Sequence, residues 1–418
     1  MARIVLSTIG SLGDLHPMIA LAIELKKRGH VPVFNTWEGY AEKISDLGME
    51  FCELRPTADQ SDAELHRKVM DARTGGEYVI KDIICANIRP MYEDLTKAVR
   101  GADAFITGEL VYPAAAVTEL TGVPWISTSL APVSLFSVSD PAVYMSDGIF
   151  EMIRPWPTVV HRGVLGLMKM FTHPWLAEYR KFRAELGLRS NHDPLFREKF
   201  SSLLHLVMFS RALATPQPDW PPTAMQTGFC FYDESESLKL EPKLAAFLDA
   251  GEPPFVFTLG SAAVYDARDF FDESAKAAKL LGRRAVLLYG RDNQPPKGLD
   301  ENVVGFEFAP YSLIFSRAAC VVHQAGVGTT AHVLRAGVPH LIMPYSHDQP
   351  DNASRCRRLG VAEIISRNKY NAASAAKALA TILADEKYRA NALPLKRIID
   401  SENGTETACD AIEEVLRK

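Results

Sequence analysis

The C-terminal half of the chain contains a glycine-bearing turn whose residue types suit phosphate binding. In the segment 321–353, an apolar run ends at His323, Gly326 and Gly328 follow, and a helical pattern opens at Thr329. Small residues let backbone N–H groups approach a phosphate, and the positive end of the helix dipole favours its charge. The pattern therefore predicts a diphosphate site at the start of this helix, and a turn that serves only tight packing is the alternative.

A pair of polar residues follows that turn after a short loop. The carboxylate of Asp348 and the amide of Gln349 can form forked hydrogen bonds to neighbouring sugar hydroxyls. Ser261 ends the apolar run 254–261, where its hydroxyl either contacts a phosphate or caps a helix. Together these residues predict a ligand that carries both a diphosphate and a sugar.

The N-terminal half has its own polar cluster, GSLGDLHP at 10–17, directly after the first apolar run. Open α/β sheets bind ligands at the carboxyl ends of their strands, so Asp14 and His16 should face a cleft. A side chain that accepts the proton of an attacking alcohol assists the attack, and burial beside an apolar ligand raises a carboxylate pKa. Asp14 and His16 are the two candidates for this general base, and a helix-capping role is the alternative for Asp14.

Alternating strand and helix patterns position the first cluster. Residues 3–8 form a short apolar run, and apolar residues at helical spacing fill 17–28, with Pro17 in the expected first turn. Gly29 suits the position after a helix end, and 31–35 is the next strand. Such β-α-β units predict a parallel, doubly wound sheet.

The same alternation restarts in the second half. Its predicted strands are 254–261, 285–290, 303–308, 319–324 and 339–344. We therefore expect an α/β protein with two Rossmann-like domains that face each other across a cleft. The first domain is predicted at 1–215, a proline-rich linker at 216–240, the second domain at 241–385, and a helical segment at 386–418 that packs back on the first domain.

Composition narrows the class of protein. A chain of 418 residues with 47% hydrophobic residues can bury two cores, and its formal charge of −5 argues against a nucleic-acid surface. No run approaches the roughly 18 to 20 apolar residues that span a bilayer, although peripheral contact with a membrane stays open. The six cysteines lack metal-like spacing, so free thiols are expected. Because the start of the sequence resembles a buried strand more than a secretion signal, a cytoplasmic location is expected.

Over essentially its whole length the sequence resembles the GT-B nucleotide-sugar glycosyltransferases. The resembling family includes plant and bacterial UDP-glycosyltransferases, sterol glucosyltransferases, and antibiotic and rhamnolipid glycosyltransferases. The resemblance rests on GSLGD, TLGS, FAPYS, HQAGVGTT and the Asp-Gln pair. It implies that separate residues bind the three parts of the donor. The nucleobase is expected at Phe308 and the backbone of Tyr311, and the sugar at Asp348 and Gln349. The residues expected to bind the diphosphate are Ser261, His323, Gly326, Gly328 and Thr329.

Several departures from the family pattern bear on chemistry and donor choice. Asp14 stands where bacterial relatives use an aspartate base, and Gly108 occupies the place of the aspartate behind the catalytic His of plant relatives. The resemblance therefore implies an Asp14 base without a relay. The acidic residue that often holds the ribose would fall near His332, so a UDP-sugar and a dTDP-sugar both stay open, while Gln349 favours glucose.

The acceptor site is expected in the segment 136–215, which is aromatic, Met-rich and broken by prolines. We interpret this segment as loops and helices added to the first domain, which holds the acceptor in the resembling family. The predicted lining residues are Phe136, Tyr144, Phe150 and Trp156. A membrane-facing patch and ordinary packing are the two alternative uses of these side chains.

The function that these residues predict is inverting, metal-independent transfer of a sugar from a UDP- or dTDP-sugar to a hydroxyl of a small apolar acceptor. The nucleotide sugar is a co-substrate, and neither a resident cofactor nor a metal is expected, because no DxD-type motif stands near the phosphate residues. A monomer or homodimer is expected. The alternatives are a GT-B sugar epimerase, a non-catalytic nucleotide-sugar binding protein, and a dinucleotide oxidoreductase, whose GxGxxG spacing is missing from GSLGD.

Overall fold

The computed structural model describes residues 1–57, 62–145, 148–233, 239–291 and 293–417. Within them, thirteen strands form two sheets. The strands are β1 (Arg3–Ser7), β2 (Val31–Thr36), β3 (Glu50–Glu53), β4 (Ala104–Thr107), β5 (Trp125–Ser129), β6 (Leu204–Val207), β7 (Ala224–Gln226), β8 (Phe255–Thr258), β9 (Ala285–Leu288), β10 (Val303–Phe306), β11 (Cys320–His323), β12 (His340–Ile342) and β13 (Ala362–Ile364).

Helices connect nearly all of these strands. They are α1 (Leu12–Lys27), α2 (Ala41–Asp46), α3 (Ala63–Val69), α4 (Gly75–Glu77), α5 (Ile88–Ala98), α6 (Ala114–Thr121), α7 (Ile149–Ile153), α8 (Thr158–Thr172), α9 (Ala177–Glu185), α10 (Pro242–Asp249), α11 (Phe270–Leu280), α12 (Tyr311–Ile314), α13 (Val327–Ala336), α14 (Gln349–Arg358), α15 (Ala372–Ala384), α16 (Lys387–Asp400) and α17 (Gly404–Leu416). A π-helical stretch, Tyr78–Cys85, follows α4.

Both sheets are wholly parallel and doubly wound. The first has the order β3-β2-β1-β4-β5-β6-β7 and the second the order β10-β9-β8-β11-β12-β13. In each sheet the order reverses beside its first strand, β1 or β8, which places a crevice at the carboxyl ends of the central strands. The predicted α/β architecture of two Rossmann-like domains is confirmed.

Burial on both faces of each sheet explains the continuous apolar runs in the sequence. In β1, Ile4 and Leu6 pack against α1 and α17, whereas Val5 faces the opposite side with α5 and α6. In β8, Phe255 and Phe257 likewise pack on one face and Val256 on the other. Each sheet is therefore the middle layer of a three-layer domain.

The first helix begins earlier than predicted. Ser11 is the N-cap of α1, and it forms a capping box with Asp14 at the third helical position. Pro17 consequently lies inside the helix and not in its first turn, while Gly29 adopts φ +85° just after the helix end, as predicted. Similarly, α13 opens at Val327 with Gly326 as its N-cap, two residues before the predicted Thr329.

The second half of the first domain differs most from prediction. Strand β6 lies inside the segment 136–215 that was expected to contain loops and helices, and β7 lies inside the predicted linker 216–240. Three residues in β7 pair with β6, so the first sheet extends past residue 215. The predicted tail 386–418 consists of two helices: α16 contacts α13 of the second domain, and α17 crosses to α1 of the first.

Candidate active site

A cleft with a cavity of about 480 Å³ separates the two domains. It lies beyond the carboxyl ends of the central strands of both sheets, where the start of α1 faces the start of α13 and the loop after β8. Of the residues predicted from sequence, the cleft is lined by His16, Ser261, Phe308, Tyr311, Gly328 and Thr329. His16 and five of the predicted donor residues therefore share this cleft, whereas its lining does not include Asp14, His323, Gly326, Asp348 and Gln349.

The start of α13 presents the features expected of an anion site. A Cβ built on Gly328 meets no atom within 4 Å, so the space beside this backbone is open to the cleft. The hydroxyl residue Thr329 is adjacent, and the positive end of the ten-residue helix points toward the same space. Ala325 takes φ +71°, which makes the sharp turn between β11 and the helix.

The loop after β8 is packed tightly against this turn by Gln324. A Cβ on Gly260, which has φ +65°, would lie 2.3 Å from the Gln324 side-chain nitrogen, and one on Gly326 would lie 3.0 Å from it. Gln324 itself is buried. The two glycines thus leave room for an amide that joins the phosphate-side loops of β8 and β11.

The side chain of His323 points into the protein and does not line the cleft. It is fully buried; its Nδ1 accepts the Ala325 backbone N–H at 3.1 Å and its Nε2 donates to His340 Nδ1 at 3.0 Å. Burial lowers the pKa of His323 to about 3, so the imidazole is neutral. Both ring nitrogens therefore shape the turn in this structure, and a direct contact between the ring and a diphosphate stays a prediction.

Asp14 lies at the start of α1, next to the cleft-lining Gly13. Its Oδ2 accepts the Ser11 backbone N–H at 2.9 Å and approaches the Ser11 hydroxyl at 3.4 Å. Burial raises the pKa of Asp14 to about 6 and outweighs these hydrogen bonds, which lower it; the charge of Glu109 raises it further. A Cβ on Gly10 would lie 2.2 Å from this carboxylate, so only glycine leaves room for it.

The rival base, His16, lines the cleft two residues further along α1. Its ring meets that of Tyr232 edge to face at 5.1 Å.

Glu109 stands just after β4, next to Gly108. A Cβ built on Gly108 would lie 2.8 Å from the Thr8 hydroxyl. The Glu109 carboxylate pairs with Lys199 at 3.1 Å and accepts the Leu130 backbone N–H at 3.3 Å.

Hydrogen bonds from neighbouring groups hold the side chains of Asp348 and Gln349 in place. One oxygen of Asp348 accepts the Val327 N–H of α13 at 2.9 Å and the Asn352 side-chain amide at 2.7 Å. The Gln349 carbonyl oxygen accepts the Tyr345 N–H at 2.9 Å. Burial raises the pKa of Asp348 to about 7, and the charge of Asp14 adds to the rise, so these carboxylates of the two domains interact across the cleft.

The residues predicted to bind the nucleobase of the donor lie at one end of the cleft. The Phe308 ring is 46% exposed there, with the Arg291 guanidinium 5.7 Å from its centre. The Tyr311 ring turns inward, stacking on Phe315 at 4.4 Å, while its hydroxyl bonds that of Thr258 at 2.9 Å. Ser261 lines the cleft and caps no helix, because the short helical turn that follows has Ala262 at its N-cap.

Three of the four predicted acceptor residues form one aromatic cluster. Phe136 stacks on Tyr144 at 6.2 Å, and Tyr144 meets Phe150 edge to face at 5.2 Å. They surround a cavity of only about 20 Å³, close to the room that one water molecule needs. Trp156 lies outside this cavity and is half exposed, so the structure separates it from the other three.

Three further residues of the cleft were not among the predicted donor-binding residues. The cleft is also lined by His332, Asp233 and Glu307. Burial lowers the pKa of His332 to about 4, so the position that often holds a ribose-binding acid carries a neutral imidazole. Asp233 and Glu307 are carboxylates on the same cleft, and only the folded chain brings them to the donor side, since neither belongs to a recognisable motif.

Within the part of the chain that the structure describes, no group of three or more His, Cys, Asp or Glu side chains is arranged as a metal site. A search of the same residues for a helix long and apolar enough to cross a bilayer found none. The cysteines are unpaired, and all but the half-buried Cys52 are buried.

Two family models match the chain. The N-terminal domain of glycosyltransferase family 28 matches residues 4–87, which include β1, α1 and Asp14. The C-terminal domain of the erythromycin biosynthesis protein CIII-like family matches residues 286–413, which include α13 and the Asp348-Gln349 pair.

Whole-chain comparisons agree with these two matches. An O-mycaminosyltylonolide 6-deoxyallosyltransferase of Streptomyces fradiae is 30% identical, over 99% of this chain and 97% of its own. A solved glycosyltransferase of kitacinnamycin superimposes with a TM-score of 0.74 at 23% identity and covers 99% of both chains. The glycosyltransferase VinC, solved in complex with dTDP, superimposes at 0.67 with 18% identity over 100% of both chains.

Proposed function

This chain belongs to the UDP-glycosyltransferase family of GT-B nucleotide-sugar glycosyltransferases, and on that premise we propose that it inverts the donor's anomeric carbon without a metal. The proposed donor is a UDP- or dTDP-sugar, with glucose as the expected sugar. The proposed acceptor is a hydroxyl of a small apolar molecule such as a natural-product aglycone, a sterol or a lipid. The observation that carries this proposal is the open helix start at Gly328, which lines the same cleft as His16 and as Gly13, the chain neighbour of Asp14.

The donor is bound mainly through the second domain. Gly328 and Thr329 at the start of α13, together with Ser261, contact the diphosphate, and Phe308 stacks on the base. Backbone dipoles fixed at the helix start stabilise the negative charge that grows on the leaving diphosphate. His323 and Gly326 support this site by shaping the turn.

Asp14 serves as the general base. The acceptor O–H gives its proton to the Asp14 carboxylate while the oxygen attacks the anomeric carbon, and the bond from that carbon to the diphosphate breaks with its electron pair. A pKa of about 6 leaves the carboxylate ionised at neutral pH yet more basic than a solvated one. His16 is the alternative base at the same wall of the cleft.

Asp348 and Gln349 hold the sugar, and the first domain holds the acceptor. Binding a sugar between Asp348 and Asp14 places the anomeric carbon between the donor helix and the base. The proposed acceptor region lies beside the aromatic cluster of Phe136, Tyr144 and Phe150, and Trp156 stands apart from that cluster. The oligomeric state, monomer or homodimer, and the cytoplasmic location stay predictions; unpaired cysteines support a reducing compartment.

The test is a turnover assay of the purified chain with UDP-glucose and dTDP-rhamnose against a panel of hydroxylated apolar acceptors, followed by mass detection. We expect glycosylated product, and a loss of about 10²–10⁴ in kcat for Asp14→Asn, compared with a smaller loss for His16→Asn. The amide oxygen of Asn can still accept the Ser11 N–H, so a Tm that is not lowered separates loss of chemistry from loss of the cap.

Two results would reject the proposal. Conversion of the nucleotide sugar in the absence of any acceptor indicates an epimerase. Tight donor binding with no turnover on any acceptor, unaffected by Asp14→Asn, indicates a binding protein without catalysis.

A further inference from the structure

Helix α8 exposes an unusual amount of apolar surface for a helix on the outside of a domain. Val159, Leu167, Met170 and Phe171 are each between 62% and 69% exposed. Their spacing, with exposed Gly163 and Gly166 between them, places them on one stripe of the helix. Contiguous exposed apolar surface of this kind marks a site that binds a membrane or another molecule.

Trp156 extends this stripe at the amino end of α8. It stands between Pro155 and Pro157, whose rings stiffen the turn, and it is half exposed. The buried His161 Nε2–H donates to the carbonyls of Arg154 and Trp156 at 3.2 and 3.1 Å, which ties this turn to the helix. We call Trp156, Val159, Leu167, Met170 and Phe171 the α8 face.

The charged residues within α8 itself are both positive. No Asp or Glu occurs from 152 to 177, and Arg162 and Lys169, seven residues apart, lie along one edge of the stripe. Neither cation forms an ion pair with a carboxylate of a described residue, and the Lys169 ammonium lies 5.4 Å from the centre of the Phe196 ring. The acidic residues that flank this stretch in the sequence are both paired: Glu151 with Arg357 at 2.9 Å, and Glu178 with Arg89 at 3.2 Å.

This charge pattern distinguishes between two possible partners of the α8 face, a second copy of the chain and a lipid membrane. A symmetric contact between two copies would bring the α8 face against itself, and with it the uncompensated Arg162 and Lys169 of both copies. An anionic lipid surface instead pairs these cations with phosphates while the apolar stripe enters the acyl boundary and the tryptophan sits at the headgroup level.

We infer that the α8 face docks this protein on anionic lipid membranes as a peripheral, in-plane helix. The aromatic cavity of Phe136, Tyr144 and Phe150 lies directly behind α8, since Val164 and Leu165 of the helix line it. Docking therefore places the proposed acceptor region at the lipid surface. That consequence rests on the proposed acceptor role, whereas lipid binding by the α8 face does not.

Vesicle co-sedimentation of the full chain tests the docking. Vesicles of phosphatidylcholine and phosphatidylglycerol should bind the protein, and pure phosphatidylcholine vesicles or high salt should release most of it. Leu167→Gln with Phe171→Gln should lower the bound fraction roughly tenfold or more, and Arg162→Gln with Lys169→Gln about tenfold. The matched control, Leu280→Gln with Leu383→Gln, removes two exposed leucines from α11 and α15 and should bind like the unchanged protein.

Three results would overturn the inference. One is the absence of binding to phosphatidylglycerol vesicles, and the second is unchanged binding by the Leu167 and Phe171 variant. The third is light scattering that shows a lipid-free dimer dissociating when those two residues are replaced, which would assign the face to a second copy. Because binding is measured without donor or acceptor, failure of the proposed transferase reaction leaves this test unaffected.

Discussion

At the residue scale, Asp14 performs a structural task and a proposed chemical one with the same carboxylate. Its Oδ2 completes the capping box of α1, which is the alternative role that the sequence allowed. The same side chain is desolvated at the cleft, and burial raises its pKa to about 6 despite the hydrogen bonds from Ser11. The capping role of Asp14 is therefore compatible with its proposed role as general base, because the hydrogen bond from Ser11 fixes the orientation of the carboxylate.

The pH dependence of turnover follows from this pKa. We predict that kcat/KM rises with pH through an apparent pKa near 6, because the carboxylate must be ionised to take the acceptor proton. Ser11→Ala removes a hydrogen bond that lowers the pKa of Asp14, so it should shift this limb to higher pH while activity is kept. A profile that stays flat to pH 5 and does not move in Ser11→Ala would assign the proton transfer elsewhere.

Asp348 makes stability depend on pH in the opposite sense to an ordinary carboxylate. Its folded-state pKa of about 7 exceeds the unfolded value of about 3.9, so the folded state holds more protons between these values. The free energy of unfolding therefore falls as pH rises from about 4 to 7.

Asp348→Asn should remove this dependence. We predict a higher Tm than that of the unchanged protein at pH 8 and a similar Tm at pH 4, measured by calorimetry. Both hydrogen bonds to Asp348 use one oxygen, which the amide oxygen replaces. Asp71→Asn is the matched control of opposite sign: hydrogen bonds lower the pKa of Asp71, so that variant should lose stability at pH 8. A lower Tm for Asp348→Asn at pH 8 would contradict the assigned burial.

At the element scale, two glycines of the donor loops play different roles. Gly260 has φ +65° and no room for a Cβ beside Gln324, whereas Gly328 lies in a helix with open space beside it. The first glycine is required by the backbone and by packing, and the second keeps the phosphate space free.

These two positions predict different variants. Gly260→Ala should lower the free energy of unfolding by about 1–2 kcal/mol through strain and displacement of Gln324. Gly328→Ala should leave the Tm unchanged or raised, since alanine favours a helix, yet raise the donor KM about tenfold by filling the phosphate space. Chemical denaturation and steady-state kinetics measure both, and an unchanged donor KM in Gly328→Ala would move the diphosphate away from α13.

At the scale of the whole molecule, a buried ion cluster ties the acceptor side to the sugar side. Arg355 of α14 binds Asp351 at 2.8 Å on its own helix and Asp140 of the first domain, while Asp351 also accepts the Val143 N–H at 3.0 Å. Asp351 and Arg355 are buried. Since α14 begins at Gln349, this contact couples the segment around Asp140 to the proposed sugar-binding pair.

Breaking this contact should weaken the packing of the segment around Asp140 against α14. Asp140→Asn leaves part of the buried Arg355 charge uncompensated, and we predict a loss of ~2 kcal/mol in stability together with a higher donor KM. Asp410→Asn is the control, because its pair with Arg28 of α1 also joins distant parts of the chain but is exposed. Denaturant titration and kinetics test both; equal effects of the two variants would remove the special role of the buried cluster.

The sequence by itself determined the architecture and the location of the chemistry. Continuous apolar runs such as that of β8 specify strands buried on both faces, and glycines after α1 and α13 specify where those helices end. Because parallel strands present their carboxyl ends at one edge, residues after such runs, Ser261 and Thr329 among them, were predictable as neighbours at the cleft.

Only the tertiary structure decided how these side chains are used. The inward turn of His323 depends on His340, seventeen residues away, and the raised pKa of Asp348 depends partly on Asp14 in the other domain. The ion cluster of Asp140 and Arg355 likewise joins segments without a shared motif. Burial and charge interactions depend on distances between elements that a local pattern does not encode, so orientation and protonation follow from the packed domains alone.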